Sequence, residues 1–471
     1  QYDYTTIQGG SSKSFVDDYL RKYKQHTNYN SINVYATYNK DFGNHHFKVM
    51  AGFNQESSYQ ETLDTYSYNQ AVLDVPAMSS GTGTIKATDS YSEYAIRGGF
   101  FRVNYNYLDK YLLEVNGRYD GSSKFPKSSR FGFFPSVSAG WQIAQERFMN
   151  STRHWLDGLK LRASYGVIGN QNINPYTFTP SMSVNNKATS WIIDDTYVTS
   201  ISSLPALVSQ NFTWEKVGTI NVGLDVNLFN NRLSGVFEWY QRNTNGMLAP
   251  GVQLPAVVGA SAPYQNTADM RTRGWELSLN WRDQIGKVGY RIGFNLSDYK
   301  SEIIKYDDNA ATKLLSSYYP GQTLGEIWGY VVDGYYTVDD FVDTSSWQLK
   351  EGVTSINGYN VRPGDVKFKN LRDDDTSTNV ITSGDNTFDN PGDRKVIGNT
   401  TPRYQYGINL GMNYAGFDLN VILQGTGKRD YWISNVLTFP MNGDNFVPLF
   451  EGLSDYWMPK DPDNGDWSAV N

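Results

Sequence analysis

The carboxylates between Asp365 and Asp393 are the first candidates for chemistry. Asp373, Asp374, Asp375, Asp385 and Asp389 are hard oxygen donors close enough in sequence to gather a hard cation such as calcium. The same run also suits a solvated acidic loop, which is the expectation here, with no cofactor. Only four His are present, His26, His45, His46 and His154. The adjacent pair His45-His46 makes a poor chelate, because neighbouring residues of a strand point to opposite faces. The chain has no Cys, so thiolate catalysis, disulfides and most zinc sites are excluded. No nucleophile–base set emerges: G-x-S-x-G, H-E-x-x-H and the P-loop are all absent. Ser122-Ser123 and Ser128-Ser129 sit in a Gly/Lys-rich stretch and read as turn residues. No enzyme activity is expected.

Aromatic side chains are the better binding candidates. Tyr318, Tyr319, Trp328, Tyr330, Tyr335 and Tyr336 crowd one segment, with Trp347 beyond them and Trp191 and Trp457 in others. Flat rings can stack on sugar faces or peptide side chains. They can equally pack a loop against itself or against a partner.

The elements that carry these residues have a period of two. Leu113 and Val115, flanked by Tyr111 and Tyr119, alternate with Leu112, Glu114, Asn116 and Arg118. Ile220, Val222, Leu224, Val226 and Leu228 oppose Asn221, Gly223, Asp225 and Asn227. Trp275, Leu277, Leu279 and Trp281 oppose Glu276, Ser278, Asn280 and Arg282, and Tyr290, Ile292, Phe294 and Leu296 oppose Arg291, Gly293, Asn295 and Ser297. Such alternation marks strands with two different environments. About twelve runs reach the roughly 9–11 residues that a tilted membrane-spanning strand needs. They are Tyr29–Lys40, His45–Glu56, Tyr94–Tyr107, Lys110–Asp120, Gly132–Gln145, Gly158–Ile168, Phe212–Phe229, Arg232–Met247, Asp269–Asp283, Lys287–Tyr299, Arg403–Tyr414 and Gly416–Gly425.

Connections alternate between short and long. Asp41–Asn44, Leu108–Asp109, Glu146–Asp157, Asn230–Asn231, Gln284–Gly286 and Ala415 are the short set. The long set is Ser57–Glu93, Gly121–Phe131, Gly169–Asn211, Leu248–Ala268, Lys300–Pro402 and the residues after Thr426. Short turns at one end and long loops at the other are the topology of an outer-membrane barrel, whose apolar face meets lipid and whose polar face lines the lumen. Rings with polar tips recur at strand ends, among them Tyr38, Tyr105, Trp141, Trp239, Trp281, Tyr290 and Tyr414, as interfacial girdles require. In this reading Leu113, Val115, Leu224, Leu277, Leu279, Phe294 and Leu410 face lipid. Glu114, Arg118, Asp225, Asn280 and Asn295 face the lumen. The fold expected is all-β, a transmembrane antiparallel barrel occupying residues 1–471.

Composition agrees. Mean hydropathy is −0.53, as expected when half of each strand faces water. No run of about 18 apolar residues exists, so no helix is long and apolar enough to span a bilayer. A net charge of −7 disfavours nucleic acid as a partner. The chain opens at Gln1 without an initiator Met or signal peptide and closes in the polar stretch 461–471. A barrel cannot leave an open edge in lipid, so an internal piece of a longer protein is expected.

Several segments, in order, resemble the SusC-like (RagA-type) TonB-dependent outer-membrane transporters of Bacteroidota. They are GRYDGSSKF at Gly117–Phe125 and RFGFFPSVSAGW at Arg130–Trp141. Then come LKLRASYGVIGNQNI at Leu159–Ile173 and WEKVGTINVGLDV at Trp214–Val226. NRLSGVFEWYQRNTNGML at Asn231–Leu248, RGWELSLNW at Arg273–Trp281 and IWGYVVDGYY at Ile327–Tyr336 follow. The last are PGDVKFKN at Pro363–Asn370, GDRKVIGNTTPRYQYGINL at Gly392–Leu410 and GFDLNVILQG at Gly416–Gly425. The resemblance implies a barrel of about 22 strands with a plugged lumen, of which this chain would be the middle and late wall, without plug or closing strands. It also implies a calcium-type D-x-N-x-D-G loop after the PGD motif. Here Pro363-Gly364-Asp365 is present, but the following LRDDDT lacks the turn glycine.

What the resemblance implies about function is import of a nutrient oligomer. The implied partners are a SusD-like surface lipoprotein, the TonB complex acting through the missing N-terminal part, and outer-membrane lipid. A neutral oligosaccharide is favoured over a peptide, because acids beside rings repel anions while rings welcome sugar C–H faces. Alternatives are a RagA-type peptide importer and a siderophore or cobalamin receptor. A surface adhesin, a passive porin and an outer-membrane enzyme belong to other classes. Neither motifs nor loops identify the cargo, since specificity lives in loops on a shared scaffold.

Overall fold

The structure, a computed structural model, describes residues 19–72, 74–181, 207–209, 212–252, 254–309, 311–314, 318–372 and 379–433. It also gives the backbone of six short strand segments at 184–185, 192–193, 196–197, 201–202, 459–461 and 466–469. Twelve long strands form one sheet in which each neighbours the next in sequence. Numbered in chain order, they are β1 (Tyr19–Phe42), β2 (His45–Tyr68), β3 (Ile85–Tyr107), β4 (Tyr111–Ser122), β5 (Phe131–Gln142) and β6 (Leu156–Asn170). Next are β7 (Glu215–Leu228), β8 (Leu233–Pro250), β9 (Tyr264–Ile285), β10 (Val288–Tyr306), β11 (Arg403–Tyr414) and β12 (Phe417–Lys428). Among the described residues the only helices are short 3-10 turns. Every run expected from the sequence is a strand.

The chain divides into two compact units, residues 1–139 with 166–216 and residues 140–165 with 217–471. In the first, β1 pairs with β2 from Tyr19↔Tyr68 to Phe42↔His45, and β2 with β3 from His45↔Tyr107 to Ser67↔Ile85. The alternation read from sequence survives pairing. Val103 faces Val115 and Tyr105 faces Leu113, while Asn104 faces Glu114 and Arg102 faces Asn116. The turn between β3 and β4 is residues 108–110, in which Leu108 and Asp109 are both at positive φ (56° and 55°). Central turn residues at positive φ match the twist of the strands they join.

Three expectations about length are corrected. Strands β1 and β2 run on by a dozen or so residues past Tyr29 and Glu56, so the connection expected at Ser57–Glu93 is largely strand. Apolar alternation stops there, but Thr62, Thr65, Tyr59 and Tyr66 still favour extended backbone. Cross-strand pairs replace the apolar face: Arg21 grips Asp64 through two hydrogen bonds of 2.9 and 2.8 Å, and Thr62 meets Ser90 at 2.5 Å. Strand β5 ends at Gln142 rather than Gln145, because Ile143–Gln145 and Arg147–Thr152 form 3-10 turns. Strand β7 begins at Glu215 rather than Phe212. The preceding residues leave the ladder to build a buried aromatic cluster: Phe212 meets Phe125 at 5.9 Å, and Trp214 meets Phe125 at 5.0 Å and Phe134 at 5.2 Å.

The second unit shows the apolar band most clearly. Along one face of β9 and β10 the paired residues are Trp281–Ile292, Leu279–Phe294 and Leu277–Leu296. Strand β11 continues the face with Leu410, Ile408 and Tyr406, and β12 with Val421 and Leu423. Carboxylates close the band at both ends. Asp283 pairs with Tyr290 in the register and holds Arg232 at 3.2 Å. Asp298 pairs with Trp275 and holds Arg403 at 2.5 Å. Tyr290 to Asp298 is roughly 26 Å of strand at about 3.3 Å per residue.

Burial is inverted relative to a soluble sandwich. The band is open, with Leu279, Ile292 and Leu410 all exposed, while most of the buried hydrophobic residues lie at the long-loop end. There Ala249, Ala268, Ile303 and Tyr306 form one cluster, and Tyr336, Phe341 and Val361 another. The core thus supports the loops, not the wall.

Candidate functional site

The long connection between β10 and β11 is folded, not structureless. Its first part returns along the outer end of β10: Ile303 N–H donates to Gln322 O at 2.9 Å, Gly321 N–H to Ile303 O at 2.8 Å and Leu324 N–H to Ser301 O at 2.9 Å. Glu326–Gly329 then pairs with Lys395–Asn399, and Val332–Tyr335 with Val366–Phe368. The family-like Pro363-Gly364-Asp365 turn docks on this frame. Asp365 accepts from Arg362 N–H at 2.7 Å, and Gly364 N–H donates to Tyr336 O at 2.8 Å.

The seven candidate rings divide by role. Tyr319 and Tyr336 are fully buried. Tyr319, Glu326 and Trp328 form a closed triad: Trp328 Nε1–H donates to Tyr319 Oη and Glu326 Oε1, each at 2.8 Å, and the Tyr319 hydroxyl donates to Glu326. Phe388 packs against both rings, at 5.6 and 6.4 Å. Tyr336 donates to Thr354 O at 2.6 Å, and its ring lies 6.3 Å from Phe341. Trp347 is half-buried, edge-on to Phe341 at 5.4 Å. Tyr330 is half-buried against Phe368 at 5.3 Å. Tyr318, set edge-on to Tyr306, and Tyr335 present their rings to solvent, at 43% and 55% exposure. Trp191 and Trp457 lie outside the described residues.

The acidic stretch also divides. Asp373, Asp374 and Asp375 lie outside the described residues. Asp393 is fully buried and accepts from three backbone N–H groups, Leu371 at 2.8 Å, Arg372 at 3.2 Å and Thr382 at 2.7 Å. It ties the loop together. Gly392 makes this approach possible, since a Cβ there would meet Thr382 O at 2.3 Å. Asp385 accepts from Asn390 at 3.0 Å, and Asp389 is exposed. Among the described residues no group of three or more potential metal ligands converges.

Burial and hydrogen bonding set the loop's electrostatics. Burial pushes the Glu326 carboxyl above its ordinary value, with Trp328 and Thr323 N–H opposing. It also pushes the Tyr336 hydroxyl up, helped by Asp340 and Asp365. Asp343 goes the other way. Ser345 and Ser346 donate four hydrogen bonds to it and hold it well below the usual carboxylate range.

Sequence reading missed two features of the polar face. In the first unit Asn116 links Arg102 (2.7 Å), Glu114 (2.7 Å) and Ser136 (3.2 Å). In the second, Arg162 donates to Asp225 at 3.1 Å and also to Glu238, which accepts from Asn221 at 3.0 Å. The guanidinium lies over Gly223, where a Cβ would come within 2.7 Å. Pairing among these groups spares the cost of lone charges. It also missed Asp298, whose signal was a carboxylate in phase with an apolar face.

The chain matches a family described as TonB dependent receptor-like, beta-barrel, over residues 1–457. The TonB-dependent receptor P3 of Formosa agariphila is 29% identical over 425 residues, 86% of this chain and 39% of that protein. The TonB-dependent receptor SusC of Bacteroides thetaiotaomicron is 32% identical over 283 residues, 58% and 27% of the two chains. Among solved structures, the RagAB peptide transporter shares the fold with a TM-score of 0.68 at 22% identity, covering 87% of this chain and 41% of that one. The chain therefore spans well under half the length of the relatives that it matches.

Proposed function

The chain belongs to the TonB-dependent receptor-like β-barrel family of the outer membrane, and from that premise we propose that it forms transmembrane wall and outer loops of an energised nutrient importer. The observation that carries this reading is the band between the Arg232–Asp283 and Asp298–Arg403 pairs. An open apolar face roughly 26 Å along the strand suits the approximately 25 Å lipid-facing band of such barrels. The opposite face hydrogen-bonds to itself, as a wet lumen wall must. The cargo is a neutral oligosaccharide, captured together with a SusD-like lipoprotein that covers the long loops. The exposed rings of Tyr318 and Tyr335, in the same long connection as exposed acids such as Asp385 and Asp389, support a neutral cargo. Energy comes from the TonB complex.

The test uses the intact transporter in its native cells. Strains with and without the gene are given mixtures of neutral oligosaccharides and of peptides, and depletion from the medium is followed. Gene-dependent loss of oligosaccharides supports the reading. Gene-dependent loss of peptides alone replaces the cargo, and loss of neither removes import. Gentle detergent extraction should bring a second, lipidated subunit with the barrel.

A further inference from the structure

Near the tight turns of the second unit the polar face becomes basic. Arg282 of β9 and Arg291 of β10 are direct partners in the antiparallel register. Such partners share a face with Cβ atoms about 4.5–5.5 Å apart, and like charges there repel. The same row continues through Gly411 to Asn420, and the next row towards the turns is Gln284, Gly289, Asn413 and Asp418. Together they line a cavity of 770 Å³, within the size range of ligand pockets.

Nothing described neutralises the two guanidiniums. Arg282 Nε–H donates to Asn231 O at 3.2 Å, and Arg291 Nη2–H donates to Asn420 Oδ1 at 2.7 Å. Both acceptors are neutral, and among the described residues neither arginine makes an ion pair. Asp283 is on the other face and is held by Arg232. Asp418 lines the cavity together with Asp283, and among the described residues it makes no ion pair with either arginine. The floor is bare: a Cβ at Gly411 would meet Arg291 Nε at 2.4 Å, so Arg291 can lie flat only over glycine. Each guanidinium has five N–H donors, and most have no partner among the described residues.

We propose that Arg282 and Arg291 form an oxyanion site at the short-turn end of the polar face, binding a carboxylate or phosphate between two guanidinium forks. Planar forks match such oxygens two at a time. An anion there would also relieve the repulsion between the paired arginines. The oxyanion has two sources: a free anion in the lumen, or an acidic side chain of a polypeptide seated against the wall. This site is independent of the cargo proposed above.

The experiment uses the full-length transporter in detergent, with Arg282→Gln and Arg291→Gln, and Arg273→Gln at the other end of β9 as a control. Inorganic phosphate is titrated calorimetrically, and Tm is followed in phosphate and in sodium chloride at matched ionic strength. For a free anion, phosphate binds the parent protein and raises Tm above chloride, and either site variant weakens binding at least tenfold. For a protein carboxylate, phosphate acts like chloride. Salt then lowers the parent's Tm, and both site variants start lower with a flatter salt response. Site variants that match Arg273→Gln and the parent in all of these overturn the proposal. An Arg291→Lys variant guards against a folding artefact: it keeps the charge but not the fork, so it should recover Tm without recovering tight anion binding.

Discussion

Arg403 grips Asp298 through two parallel hydrogen bonds, Nε to Oδ1 and Nη2 to Oδ2, both 2.5 Å, although 105 residues separate them. Tyr404 N–H adds a third contact to Asp298 at 3.4 Å, and the Asp298 side chain is only 8% exposed. The clasp closes the base of the long loop and marks the outer limit of the apolar band. Asp298→Ala should cost about 1.5–3 kcal/mol locally, the range for hydrogen bonds to charged groups. Protease nicking between residues 307 and 402 should accelerate, while β9 and β10 stay protected. Unchanged nicking would mean that the small loop sheets hold the loop unaided.

Facing is testable strand by strand. Spin labels at Leu113, Leu224, Leu279 and Leu410 should be accessible to oxygen, and labels at Glu114, Asp225, Asn280 and Asn295 to water-soluble reagents. Mixed accessibility along one strand would sink the register.

Depth has an energetic signature. Leu279→Arg, central in the band, should cost roughly 2–4 kcal/mol of folding free energy in lipid. Asn280→Arg on the polar face should cost far less. Denaturant titration in vesicles measures both, and equal costs would contradict the assignment of faces.

Glu326 makes the loop's stability depend on pH. Burial raises its carboxyl pKa in the folded loop, so ionisation opposes folding. That cost is present at neutral pH. It is relieved as pH falls from above the raised value towards the ordinary carboxylate range. Hydrogen exchange in residues 319–329, corrected for its intrinsic pH dependence, should therefore slow on acidification. Glu326→Gln should abolish the trend; a trend that persists in the variant assigns it to another group.

Adjacent rings should behave differently. Tyr336→Ala removes a buried side chain and should destabilise the loop by about 3–5 kcal/mol, as large aromatic truncations do. Tyr335→Ala and Tyr318→Ala, exposed, should change stability by about 0.5 kcal/mol or less. If either exposed variant slows uptake with the loop intact, its ring touches cargo. If a lipoprotein dissociates instead, the ring belongs to a subunit interface.

Alternation from Tyr290 to Leu296, and its equivalents in the other strands, is a property of the sequence alone. A strand between two environments needs only a local period of two, so all twelve strands and their tight turns were legible without contacts. Strand ends were less so. Past Tyr29 and Glu56 the pairing is carried by polar partners such as Arg21 and Asp64, and no local period marks them. The candidate site depended on tertiary structure most of all. Tyr318 and Tyr319 are neighbours of one residue type, as are Tyr335 and Tyr336, yet one of each pair is buried and the other is open. That division is decided by Phe388, Glu326, Phe341 and Thr354, brought in from elsewhere in the chain. The clasp between Asp298 and Arg403, and the sharing of Arg162 by Asp225 and Glu238, have the same origin. Charges meet where strand register places them, and register is a relation between segments that no single segment encodes.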